Sequence, residues 1–99
     1  MSDEFKLRAD VSRATKAEVL LKNEMLIETF KTLTDTYLNA WRNTHIEDVQ
    51  AREKLFLAVN VVAKVQAHLA SIVTNGLLAK RELDELAQAD ARKKRYGII

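Results

Sequence analysis

The chain contains no cysteine, no proline and only two glycines, Gly76 and Gly97, in 99 residues. Without cysteine there is no disulfide, no thiolate metal site and no cysteine nucleophile, which fits a reducing compartment. Without proline and nearly without glycine, the chain lacks the residues that interrupt regular structure, so long helices are expected. Aromatic residues are few, with three Phe, two Tyr and one Trp. No GxSxG, P-loop or glycine-rich phosphate loop is present, and the two histidines, His45 and His68, lie far apart in the sequence. The N-terminal stretch MSDEFKLRAD is charged and no apolar run follows it, so no signal peptide is expected.

What is present is helix-forming. Alanine, leucine, lysine, glutamate and arginine are abundant. Acids and bases balance through residue 75, and the net charge of +2 falls in residues 76–99, mostly in RKKR at 92–95. A balanced body argues against a broad nucleic-acid-binding face. Ninety-nine residues make one domain with a modest core, in need of outside help for stability.

The pattern predicts a first helix over 3–42, capped by Ser2 or Asp3. Its apolar stripe, Leu20, Ile27, Phe30, Tyr37 and Trp41, has the spacing of a heptad seam, widened by Leu26, Leu33 and Leu38. Extended backward, the seam meets Arg13 and Lys16, so residues 3–18 read as a separate polar arm. A second helix is expected over 45–74. It carries two adjacent seams, Leu55, Ala58, Val62, Val65, Leu69, Ile72 and Phe56, Val59, Ala63, Gln66, Ala70, Val73, with Leu57 and Val61 extending the apolar surface. Its polar residues shrink to a strip of Asn60, Lys64, His68, Ser71 and Asn75. A helix so apolar around its circumference is buried on several sides. TNG at 74–76 reads as a stop with Gly76 at the C-cap. A third helix is expected over 77–92, and residues 93–99 form a basic and apolar tail.

At NTHIEDV, residues 43–49, Thr44 and Glu47 have the spacing of a capping box, and Glu47 and Asp48 suit the positive end of a helix dipole. Asp48 and Arg52 stand at i,i+4. His45 and Asp48 at i,i+3 offer two metal ligands, too few for a site. The cluster therefore reads as a helix corner, and no catalytic residue, metal or cofactor is assigned. Phe30, Tyr37 and Trp41 have core spacing, which outweighs a base-stacking platform. The run 55–73 is about long enough to span a bilayer, but Asn60, Lys64, Gln66 and His68 interrupt it. A mid-membrane lysine costs roughly 2.5–3.5 kcal/mol, so no membrane is expected.

The expected architecture is all-α: a long antiparallel helical hairpin with a short C-terminal helix. Two seams on one helix leave an apolar face that a monomer does not cover. The chain is therefore expected to associate with itself as a bundle or ring, through Leu55, Phe56, Val59, Val62, Val65, Leu69, Ile72 and Val73. Arg92, Lys93, Lys94 and Arg95 are the expected contacts for a partner or for DNA phosphates.

The stretch 30–83, with AWRNT at 40–44, AREKLF at 51–56 and a hydrophobic helix closing on Gly76, resembles small helical proteins encoded by tailed phages and prophages. Its distinctive positions are Trp41, Arg42, Thr44, Arg52, Glu53 and Gly76. The resemblance implies virion assembly or genome packaging, other phage structural or packaging proteins as partners, and a location in the host cytoplasm or on the virion. Within that setting the hairpin is similar to the small terminase subunit, whose members form rings and commonly bind DNA through an N-terminal helix-turn-helix. Here residues 1–19 are too short for that motif. The leading expectation is a non-enzymatic oligomerisation protein. The alternatives are a small-terminase-like factor that binds DNA nonspecifically through the tail, and a regulatory adaptor that docks a host protein.

Overall fold

A computed structural model describes residues 3–95. The described chain is all-helical, with α1 at Glu4–Lys22, α2 at Glu24–Arg42 and α3 at Val49–Arg95. The residues fall into two compact units. The first comprises residues up to Glu18 and from Ser71 onward, and the second comprises Val19–Ala70.

The expected first helix is broken in two. Asn23 leaves the helical conformation with φ −71° and ψ 119°, and its side-chain Oδ1 accepts the Leu26 amide at 3.0 Å. Asparagine competes well for this role because its short side chain satisfies an otherwise orphaned N–H of the next helix. Glu24 follows in the first turn of α2, where negative charge is favoured. The polar arm is thus a regular helix, α1, whose start is capped by Asp3: its Oδ1 accepts the Phe5 amide at 3.2 Å.

The expected stop at Gly76 is also absent. Helices expected over 45–74 and 77–92 are one 47-residue helix, α3, which continues through the basic run to Arg95. The remainder of the expected tail, 96–99, lies outside the described residues. In the first unit Gly76 is buried inside α3 against α1. A Cβ built there would overlap Ala14 Cβ and stand 3.1 Å from the Asp10 carbonyl oxygen. Gly76 is therefore present for close approach of two helices, and not for a left-handed cap. Glycine inside a helix costs roughly 0.5–1 kcal/mol relative to alanine, and the close contact offsets that cost. The buried residues of this unit are Leu7 and three small ones, Ala17, Gly76 and Ala79.

The second unit packs larger side chains less deeply. Leu26, Phe30, Thr34, Tyr37 and Leu38 are half-buried on one face of α2. On α3 the half-buried face carries Ala51, Arg52, Leu55, Ala58 and Val59, and Val62 is its one buried residue. Among the described residues no side chain is completely withdrawn from solvent.

Candidate functional site

The corner between α2 and α3 spans residues 43–48. Asn43 ends α2, its amide reaching the Asn39 carbonyl at 3.2 Å. The expected capping box does not form. The Thr44 hydroxyl instead turns back and donates to the Trp41 carbonyl at 2.6 Å. Asp48 caps α3: its Oδ1 accepts the Ala51 amide at 3.2 Å and its carbonyl accepts the Arg52 amide at 3.1 Å. Thr44 lies too early because the chain makes a further turn, with Asp48 N–H donating to the His45 carbonyl at 3.0 Å, before the helix starts.

Arg52 does not pair with Asp48 in the manner its spacing suggests. Its Nη1 donates to Thr44 Oγ1 at 2.9 Å, and its Cζ lies 4.7 Å from the centre of the Trp41 ring. The guanidinium thus joins α3 to the end of α2 through a hydrogen bond and a cation–π contact, the latter contributing about 0.5–1 kcal/mol at an exposed site. One face of Trp41 is occupied by this contact. Arg52 and Trp41 border a shallow 270 Å3 recess with Ile46, Val49 and Phe56, all three exposed. Among the described residues no group of three or more His, Asp or Glu side chains is placed to hold a metal ion.

The apolar seams of α3 divide between inside and outside. Of the expected interface residues, Leu55, Val59, Leu69, Ile72 and Val73 are half-buried and Val62 is buried within the chain itself. Phe56 and Val65 remain 62% and 47% exposed. Leu57 and Val61, which sequence reading placed only at the margin of the seams, are 60% and 58% exposed. The exposed apolar surface of α3 in this unit therefore centres on Phe56, Leu57, Val61 and Val65. The two seams differ in the sequence by a single polar position, Gln66, so periodicity alone does not say which one turns inward.

In the first unit, α1 and α3 border a 690 Å3 cleft with an apolar floor that includes Val11, Val73, Leu77 and Leu83. Its charged margin is partly self-satisfied, with Arg8 bonded to Glu4 at 2.8 Å. Farther along α3, Arg92, Lys93 and Lys94 are exposed, and Lys94 lies 3.6 Å from Asp90. Arg95 is the last residue of the helix.

No protein-family model, no curated protein and no solved structure matches the chain.

Proposed function

We propose that the chain is a non-enzymatic helical association module that works by presenting surfaces and binds copies of itself. The observation that carries this reading is the exposed row Phe56, Leu57, Val61 and Val65 on a helix whose other face is already used. Apolar surface of this kind, if left in water, forgoes roughly 25 cal/mol for each Å2 that a partner would cover. In this reading α2 and the first half of α3 form a hairpin, and hairpins assemble side by side into a bundle or ring. The phage setting, in head assembly or genome packaging, is supported by the sequence resemblance across 30–83.

A bilayer is the other apolar environment open to α3, which holds a stretch long and apolar enough to cross one by length and composition. Lys64 sits on that stretch, and its charge favours a protein partner with water at the rim. A second reading, nonspecific DNA binding, is favoured by Arg92, Lys93 and Lys94 standing exposed together near the end of α3. Contacts of that kind are made to phosphates and weaken steeply with salt.

Light scattering on the wild type and on Leu57→Asp separates these readings. Self-association predicts a multimer for the wild type and a smaller particle for Leu57→Asp, with helix content retained. A wild-type monomer that gains mass only with duplex DNA, and loses that gain in Lys93→Glu/Lys94→Glu, would replace this reading with the DNA one.

A further inference from the structure

Glu53, Leu57, Asn60 and Lys64 follow one another at steps of four, three and four residues, so they form a single stripe along α3. This stripe lies on the side of the helix opposite Leu55, Val59 and Val62, the residues drawn into the unit's own packing. Phe56 and Val61 flank it, both more than half exposed. Among the described residues neither Glu53 nor Lys64 makes an ion pair, and both are exposed. The stripe thus has an acid at one end and a base at the other, with exposed Leu57 and half-buried Asn60 between them.

A surface of that composition complements itself under one operation. We infer that the partner of α3 is a second copy of the chain laid antiparallel along this stripe, so that Glu53 of each copy meets Lys64 of the other. The inference rests on the self-association reading above and adds the face, the direction and the register. A two-fold interface brings the same patch of both copies together, with each contact occurring twice. With the axis passing between Ala58 and Val59, Glu53 and Lys64 stand equally far to either side, about 8 Å along the helix. Both charged pairs are then level, and Phe56, Leu57 and Val61 of the two copies close the space between them. A parallel arrangement sets Glu53 beside Glu53 and Lys64 beside Lys64, and repulsion at both ends disfavours it.

Asn60 sharpens the register. Its Nδ2 donates to the Phe56 carbonyl of its own helix at 2.9 Å, which leaves the amide oxygen for another donor. In the antiparallel register the two Asn60 residues lie about 4–5 Å apart along the axis, so polar atoms meet polar atoms. A slip by one helical turn sets each amide against apolar side chains instead. A single polar residue in an apolar seam is a known means of specifying register at some cost in stability. Lys54, about a quarter turn around the helix, falls level with Ala63 of the other copy and keeps its ammonium in water. The apolar side chains supply most of the affinity, because exposed ion pairs are individually weak, and the charges select the direction.

Charge reversal at the two ends tests this directly, read as the dimer dissociation constant by sedimentation equilibrium at low salt. Glu53→Lys and Lys64→Glu each replace two attractions by two repulsions, and each is expected to weaken the dimer about tenfold or more. An equimolar mixture of the two variants restores both pairs in the mixed dimer and is expected to recover near-wild-type affinity. The double variant Glu53→Lys/Lys64→Glu is expected to behave as wild type. Both positions are exposed, and far-UV circular dichroism verifies that each variant remains helical. A wild type that stays monomeric overturns the association reading and this inference together. A wild-type multimer unaffected by any of these changes overturns this face alone. Weakening by the single variants without recovery in the mixture overturns the antiparallel pairing.

Discussion

The same helix, α3, is packed in two different ways along its length. In the unit containing Ser71 onward it meets α1 through Gly76 and Ala79, with Ala14 and Ala17 on the facing helix, and the backbones approach closely. In the unit containing Val49–Ala70 it uses Leu55, Val59 and Val62, level in type with the larger Leu26, Phe30 and Tyr37 of α2, and buries them only in part. Small residues give a close contact with little area; large residues give area with less closure. The second arrangement leaves Phe56, Leu57 and Val61 as exposed apolar surplus, the surface on which the proposed association rests.

Four substitutions probe these two packings and the corner beside them, in decreasing order of expected effect. Because association adds to apparent stability, each is compared at one protein concentration. Val62→Asp places an unpaired carboxylate at the one buried position of the second unit and is expected to cost about 3 kcal/mol or more. Trp41 is the only tryptophan and lies in this unit, so its fluorescence transition should shift to lower denaturant together with the helix signal. A variant that unfolds at the wild-type midpoint would show that Val62 is not enclosed.

Gly76→Val tests the first unit. The added side chain overlaps Ala14, and overpacking of this kind typically costs about 1–3 kcal/mol. The loss should appear in the circular dichroism melt before it appears in Trp41 fluorescence. Retained stability would mean that Gly76 serves no close contact. The smallest effect lies at the corner. Asp48→Ala removes the cap of α3 and is expected to cost about 1 kcal/mol. Thr44→Ala removes the acceptor for Arg52 and is expected to cost about 0.5 kcal/mol, with a change in Trp41 emission as the guanidinium is released. The reverse ranking in urea melts would reinstate Thr44 as the cap.

Much of the helical character was legible in the sequence, because it depends on local properties. The absence of proline and the spacing of Phe30, Tyr37 and Trp41 identify helices without reference to the fold. The break at Asn23 was legible in principle: an asparagine followed by Glu24 and an apolar run is a helix start, but the continuing heptad spacing on both sides masked it. Gly76 was misread for a different reason. A glycine after asparagine is a common helix end, and only the position of Ala14, sixty-two residues earlier, reveals why this one stays helical. The corner shows competition between two nearby caps. Thr44 and Asp48 both have suitable side chains, and the choice of Asp48 follows from the extra turn that lets Arg52 reach Thr44 and Trp41. The face proposed for association was half legible. The excess of apolar surface on α3 is evident from composition, whereas the stripe from Glu53 to Lys64 becomes separable only after Leu55, Val59 and Val62 are known to face inward.

A distance between two copies separates the antiparallel pair from its alternatives. The chain has no cysteine, so Gln50→Cys and Ala67→Cys each give a single site for a spin label on an exposed position of α3. An antiparallel pair with its axis between Ala58 and Val59 predicts one interspin distance of about 25 Å in each singly labelled sample, the two values being alike because positions 50 and 67 are equally far from the axis. Distances of about 10 Å at both positions would indicate parallel helices, and no dipolar coupling at any concentration would mean that α3 has no second copy against it.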